Sequence, residues 1–356
     1  MKKAIICFCG VLAVSLCANV TPVFADDGSA RIGASGITFV KNNDISMIKE
    51  ILAISTSHIN AEYWLMNDSQ KDLKTTMAFP MPAYCSTSSE YDQCPEAPTK
   101  VFSTLVDGQA VDAKQVRQAM LKGKDITNDL RALGLTDLQL FFIASGKEQQ
   151  EKRRKVPICF FTDSGQEYVL SDKQKTGLYQ LKALDDYGCP AWTVVQTYYW
   201  DLDIPAKKTV HIEHDYDYSP YAGSAYDPGN GSLLFQNRSN DEACLNDGTG
   251  DRIESRIQAL KAKTGRVWVD VHSVEYILWT ARTWKGPIGE FVLRIKMDPD
   301  IAKKFKNPEK HRPEQFLSLC FPGKPKLIDS LTYEFTQENY VPPDKLVVYF
   351  YDADAF

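Results

Sequence analysis

The sequence contains no C-x-x-C, no H-E-x-x-H, no G-x-S-x-G and no G-x-x-x-x-G-K-[ST]. The local signatures of thioredoxin-type redox chemistry, zinc peptidases, α/β-hydrolases and P-loop enzymes are therefore absent. Gly248-Thr249-Gly250 lacks the third glycine that a dinucleotide turn needs. An excess of positive charge is missing as well: 41 Lys and Arg stand against 46 Asp and Glu, net −5. That balance disfavours a nucleic-acid binder. No repeat of fixed length runs through the chain, which sets solenoids and propellers aside. What remains is an ordinary folding composition with a high aromatic share, 44% hydrophobic and 11% aromatic over 356 residues. This is enough for one large domain or two medium ones and favours a β protein rich in rings.

Only one long apolar run exists, at the start. Lys2 and Lys3 precede Ala4 to Ala18, and a turn-prone stretch then ends in Val23-Phe24-Ala25 before Asp26-Asp27. This is the grammar of a secretory signal peptide over residues 1–25, with cleavage expected after Ala25. The run is shorter than the ~20 residues of a spanning helix, which disfavours a membrane anchor. Leu16 is too large to precede a lipidated Cys17. Loss of Lys2 and Lys3 leaves 39 basic residues against 46 acidic ones, net −7. The expectation is a soluble, acidic, periplasmic or secreted protein with no transmembrane segment after signal removal.

Export alters the reading of the cysteines, because an oxidising compartment lets them pair. Cys85, Cys94, Cys159, Cys189, Cys244 and Cys320 remain after cleavage. None has a histidine at zinc-finger spacing, so disulfides are the expectation rather than a structural metal. Cys85 and Cys94 lie close together in a polar stretch and suggest a locally closed loop. Cys159 and Cys189 flank the return from a helical insertion. Elimination then leaves Cys244 with Cys320.

Along the chain, strand signals dominate. Ile45 to Ile54, Ile59 to Leu65, Leu73 to Phe79, Trp192 to Asp203 and Thr209 to Tyr218 show short-period patterning broken by polar turns. Asp112 to Lys122 and Thr127 to Leu133 read as short helices, the second capped by Thr127 or Asn128 and ended by Gly134. The Gly-, Ser- and Asn-rich stretch from Tyr221 to Asn240 reads as an interdomain boundary. Beyond it a helix is expected near Asp251, with Ile253, Ile257 and Leu260 on one face and Gly265 at its end. Further strands are expected at Val267 to Ala281, Gly289 to Met297, Phe316 to Phe321, Leu331 to Phe335 and Leu346 to Tyr351.

Two constellations are candidates for function. In His211-Ile212-Glu213-His214-Asp215-Tyr216-Asp217, strand alternation puts His211, Glu213, Asp215 and Asp217 on one face and Ile212, His214 and Tyr216 on the other. The first face reads as solvated charge or a polar recognition surface. It offers ligands in a line, which is a poor start for a metal shell. His214 with Tyr216 reads as a hydrogen-bonded pair partly buried beneath the sheet. The second constellation is aromatic: Trp192, Tyr198, Trp200, Tyr221 and Tyr226 are core rings if buried and a binding patch for a protein or glycan if exposed.

Ordered phrases carry a resemblance. Lys41-Asn42-Asn43-Asp44-Ile45, Met77 to Pro82 (MAFPMP), Gly123 to Thr127 (GKDIT), Val210 to Tyr216 (VHIEHDY), Trp284 to Gly289 (WKGPIG) and Ser318 to Gly323 (SLCFPG) occur in this order. Together they resemble the bacterial secreted proteins grouped as domain of unknown function 4424. The resemblance spans nearly all of the mature chain and implies export and a β-rich architecture. It carries over no catalytic residue, and it supports the Cys244–Cys320 pairing through the phrase that holds Cys320.

The sequence thus predicts a mainly β protein of two packed antiparallel β-sandwich-like domains. Residues 26–235 would carry a helical insertion around 112–150, and residues 236–356 would open with a helix around 251–264. The expected role is an exported, non-enzymatic binding or envelope-associated protein that meets an envelope protein or glycan, with no cofactor and no metal. The alternative is a hydrolase of envelope polymers acting through Glu213, Asp215 or Asp217.

Overall fold

A computed structural model describes residues 27–33, 36–85, 102–141, 170–185, 189–218, 221–226, 234–235, 244, 249–297 and 317–351. The expected signal peptide and the residues Cys94 and Cys159 lie outside the described residues. In chain order the strands are β1 (Gly28–Gly33), β2 (Gly36–Phe39), β3 (Ile45–Ile54), β4 (His58–Asn67), β5 (Leu73–Pro80), β6 (Tyr84–Cys85), β7 (Ser103–Val106), β8 (Gln109–Ala110), β9 (Lys114–Leu121) and β10 (Lys124–Asp125). They continue with β11 (Thr193–Ile204), β12 (Thr209–Asp217), β13 (Tyr221–Tyr226), β14 (Leu234–Phe235), β15 (Trp268–Ile277), β16 (Ile288–Lys296), β17 (Leu317–Leu319), β18 (Lys326–Asp329), β19 (Thr332–Tyr340) and β20 (Lys345–Tyr351). The helices are α1 (Thr127–Ala132), α2 (Asp137–Phe141), α3 (Asp172–Gln180) and α4 (Thr249–Thr264). The protein is mainly β, as its sequence predicts.

Three sheets form. The first runs β10-β9-β11-β5-β1-β2 with β6 also on β11; the second runs β18-β19-β16-β3-β4-β12-β7-β8; the third runs β14-β13-β15-β20-β17. One large core joins them: Phe79 and Trp200 of the first sheet, Tyr63, Ile212 and Leu293 of the second, and Tyr276, Val348 and Phe350 of the third pack in a single cluster. Helices α1 to α3 cover the other face of the first sheet around Leu130, Leu140, Leu178 and Trp192. Helix α4 covers the other face of the third through Ile253 and Ile257. This double coverage explains β20, whose Leu-Val-Val-Tyr-Phe-Tyr run is buried at every position because Leu346, Val348 and Phe350 face one core and Val347, Tyr349 and Tyr351 the other.

The second sheet joins distant parts of the chain. β16 lies parallel to β3, with Glu290 opposite Lys49 and Ile295 opposite Ile54. Strands from either side of residue 235 therefore share one sheet and one core. β3 carries a register shift between Met47 and Lys49, beside the start of β16. Here the backbones come so close that a Cβ on Gly289 would sit 2.5 Å from the Ile48 carbonyl oxygen, so only glycine fits.

Two local expectations are corrected. Asp112 to Lys122, expected as a helix, holds strand β9, which pairs with β11 from Lys114–Tyr199 to Met120–Thr193. Lys122-Gly123, both at positive φ, make the two-residue turn into β10, and this hairpin outweighs helix propensity. Tyr221 to Tyr226, expected in a boundary loop, is strand β13, held between β14 and β15. The helix of Thr127 forms as expected, but Ile126 occupies its N-cap position. Asp125 accepts from the Thr127 amide at 2.9 Å and from its hydroxyl at 2.6 Å, and Gly134 closes the end at φ +82°. Helix α4 starts two residues before Asp251, which places that carboxylate in the first turn, and Gly265 ends it as expected.

Candidate functional site

The outward face of the second sheet is built by β4 and β12. The alternation HINAEYWLMN buries Ile59, Ala61, Tyr63 and Leu65 and turns His58, Asn60, Glu62 and Trp64 outward. The alternation TVHIEHDYD turns His211, Glu213, Asp215 and Asp217 outward, which is the face expected from the sequence. Antiparallel register sets His58 opposite Asp217, Asn60 opposite Asp215, Glu62 opposite Glu213 and Trp64 opposite His211. The side chains then couple. His58 joins Asp215 through Nε2 at 2.9 Å and Asp217 through Nδ1 at 3.1 Å. Asn60 donates to Glu213 at 3.2 Å, and His211 Nε2 meets Glu62 at 3.1 Å. The His211 ring stacks on Trp64 with centroids 4.4 Å apart, and the Lys49 ammonium sits 5.8 Å from the same ring. Further across, Lys49–Glu290 and Arg294–Glu334 continue the row of ion pairs.

A cleft of about 340 Å³ opens at the end of this face, between the β3–β4 turn (Ser55, Thr56, Ser57, His58) and Lys296-Met297 after β16. His58 stands at its rim. Partial burial pulls the His58 pKa down, but hydrogen bonds from both sides to Asp217 and Asp215, with their charges, leave it above the ordinary histidine value. A histidine raised in the folded state contributes its stability in full below the unfolded value of 6.5 and loses it as pH rises through the folded value. The stability gap between the native chain and His58→Gln is therefore expected to be widest near pH 5 and to close by about pH 9, staying below about 1 kcal/mol because the pair is solvent-exposed. Urea unfolding across that range checks it, and a gap that widens with pH would contradict the assignment.

Beneath the same strands lies a buried polar cluster. His214 is fully buried and bonds Asp27 through Nε2 at 2.8 Å and Thr104 through Nδ1 at 3.1 Å. The expectation of burial beneath the sheet is met. The expected Tyr216 pairing is replaced by Asp27, directly before β1 of the first sheet, and by Thr104 of β7, the strand beside β12. Phe79, Phe102, Trp200 and Tyr63 surround the imidazole at 4.7 to 5.5 Å between centroids. Burial raises the Asp27 pKa, an effect the His214 contact opposes; burial and the Asp27 charge hold Glu50 well above the carboxylate range. Hydroxyl, imidazole and carboxylate in series have the connectivity of a nucleophile, base and orienting group. With Asp27 and His214 sealed from solvent and Thr104 nearly so, a substrate cannot reach them, and the cluster is a structural device.

The aromatic candidates separate. Trp192 is buried against the helices, its Nε1 donating to the Leu140 carbonyl at 3.1 Å, and Trp200 is buried on the opposite side beside His214. Both are core residues rather than a binding surface: Trp200 lies on β11, an interior strand, within the large core, and Trp192, just before that strand, packs in the cluster under the helices. Tyr198 is half-buried, stacks on Phe102 at 4.2 Å and accepts a hydrogen bond from Gln196 at 2.6 Å. Tyr221 and Tyr226 stand opposite Ser273 and Trp268 in β13. Glu213, Asp215 and Asp217 stand in line on one strand rather than across a cleft from one another, which is not the opposed carboxylate pair of a glycosidase. Among the described residues, no group of three or more His, Cys, Asp or Glu side chains converges as a metal site, and no helix is long and apolar enough to cross a membrane. Cys244 is bonded to Cys320, with Cα atoms 5.1 Å apart, as expected; Cys189 is also in a disulfide.

Fold and site define a multi-sheet β protein with a disulfide, a sealed polar core and a charge-paired outer sheet face. The chain belongs to the family described as domain of unknown function (DUF4424), which matches residues 25–349. Among curated proteins none matches the sequence. Of solved structures, a candidate nutrient-binding protein of Legionella pneumophila is similar at 14% identity and a TM-score of 0.38, over 92% of this chain and 72% of that one. An M1 zinc metallopeptidase of Deinococcus radiodurans is similar at 10% identity and a TM-score of 0.29, over 88% of this chain and 44% of the peptidase.

Proposed function

We propose that this chain is an exported, non-enzymatic binding protein of the cell envelope, which presents the outer face of the second sheet and its adjoining cleft to a protein or glycan partner carrying positive charge. The supporting observation is the concentration of Glu62, Glu213, Asp215 and Asp217 on two adjacent strands, where His211 meets Glu62 and His58 meets Asp215 and Asp217. Such a face steers a cationic partner toward it and keeps anionic surfaces away. Export is supported by the basic, apolar and Val-Phe-Ala succession at the N-terminus and by the Cys244–Cys320 bond, which persists in an oxidising compartment.

The test uses the mature chain and a Glu213→Gln, Asp215→Asn, Asp217→Asn variant as baits in envelope extract at low and high salt. A partner is expected to be held by the native chain at low salt, released by salt, and lost by the variant. A partner retained equally by both baits would show that this face is not the docking surface.

A further inference from the structure

The cleft at the end of the outer face opens where two neighbouring strands part. β3 and β16 run parallel, in register from Lys49–Glu290 to Ile54–Ile295. β3 then folds back into β4 through a turn closed by the Ser55 amide on the His58 carbonyl at 2.9 Å, whereas the Met297 amide donates to the Leu331 carbonyl at 2.9 Å and draws the end of β16 toward the start of β19 on its other side. The gap between the diverging chains is the cleft of about 340 Å³, with the buried side chains of Ile54 and Met297 in its lining. A space of this size takes a small molecule or the tip of a larger one. Most polar groups around it are engaged: the Ser55 hydroxyl accepts from the amides of Ser57 and His58, and both ring nitrogens of His58 are held by Asp217 and Asp215. Lys296 differs. It ends the outward row of β16, in which Glu290 pairs with Lys49 and Arg294 with Glu334, yet among the described residues no carboxylate closes an ion pair with its ammonium. It stands opposite Thr332, beyond which Asp329 feels the Lys296 charge while accepting from the Leu331 amide at 2.8 Å. The Thr56 and Ser57 hydroxyls also have no hydrogen-bond partner among the described residues.

We infer that this cleft is a binding site for a carboxylate on a short apolar body, with the carboxylate held by the Lys296 ammonium and the Thr56 and Ser57 hydroxyls and the hydrocarbon laid on Ile54 and Met297. One free cation and two free hydroxyls supply the charge-assisted and neutral hydrogen bonds that a carboxylate accepts. The apolar floor gives the ligand's alkyl part a place away from water. A dianion such as inorganic phosphate suits the site less well, because it has no hydrocarbon to bury and would stand close to Asp215 and Asp217 behind the His58 ring. An amine is repelled by Lys296. The inference goes beyond the docking face proposed above: it adds a subsite of opposite sign at the end of that face, and it stands without it.

The experiment titrates the protein, its methionine methyl groups labelled with ¹³C, with butyrate, butylamine, inorganic phosphate and N-acetylvaline. Butyrate is expected to move the Met297 methyl resonance saturably, while butylamine and phosphate leave it in place. Lys296→Gln should weaken butyrate by about tenfold or more, and Lys296→Arg should restore most of the affinity. Lys296 is exposed, so both variants should unfold at the temperature of the native chain, and that measurement separates lost binding from lost structure. The Glu213→Gln, Asp215→Asn, Asp217→Asn variant should hold butyrate at least as well as the native chain, so a failed docking face leaves this site standing and a failed site leaves the face standing. Tighter binding of N-acetylvaline than of butyrate would assign the carboxylate to a peptide's C-terminal residue, and the reverse order to a free acid; each supports the site. No saturable shift with either carboxylate, an equal response to butylamine, or native affinity in Lys296→Gln would overturn the inference.

Discussion

His214→Ala is expected to destabilise the protein by about 3–5 kcal/mol, the cost of leaving a buried charge without its partner. Among the described residues the imidazole is the one hydrogen-bond partner of the Asp27 carboxylate, and it lies within a shell of four aromatic rings, so its loss leaves both an uncompensated acid and a void. Asp27→Asn should cost less, because an amide can still bond the ring nitrogen. His211→Ala serves as the contrast. Its partner Glu62 is half-exposed at 3.1 Å, and loss of that surface pair should stay within about 1 kcal/mol. Urea unfolding of the three variants measures the order. A His214→Ala cost as small as that of His211→Ala would show that the cluster does not hold the sheets together.

The second large effect is expected from Cys244→Ser with Cys320→Ser. The bond closes a sequence separation of 76 residues and ties the segment before α4 to the residue after β17. For a loop of that size the chain-entropy treatment gives about 4 kcal/mol, less any strain in the native state. Guanidinium unfolding of the oxidised native chain and the double variant checks the magnitude. Non-reducing peptide mapping checks the pairing, and a fragment joining Cys244 to any other cysteine would show it to be wrong. A variant as stable as the native chain would mean that the sheets enclose this segment without the covalent tie.

Some of this architecture was legible in local pattern. The period-two alternation of β4 and β12 depends on one chain segment having one dry and one wet face, so the outward set His211, Glu213, Asp215 and Asp217 could be read from seven consecutive residues. The apolar spacing of Ile253, Ile257 and Leu260 defined α4 in the same way. Other features carried a signal that propensity obscured. Lys122-Gly123 is a two-residue hairpin turn, but the flanking residues also suit a helix, and β9 became a strand because β11 offered it a full ladder. His58, Asn60, Glu62 and Trp64 follow the same alternation as β12 and could have been found by it.

What the sequence by itself determined was the β class, the family, the main strand and helix periods, and the cysteine pairing that remained once the nearer pairs were assigned. Tertiary structure alone decided which distant groups meet. His58 reaches Asp215 and Asp217 across 157 and 159 residues, and His214 reaches Asp27 across 187. β3 finds a parallel partner in β16 from the far half of the chain. It also decided that Trp200 is core while Trp64 lies on the outer face, since both occupy similar strand patterns, and that Trp192, just before β11, is core as well. The physical reason is that alternation fixes a side chain's face relative to its own strand, whereas which face becomes interior depends on what covers it. Coverage is a property of sheet order and layering, and these are set by the summed burial of apolar surface over the whole chain rather than by any local stretch.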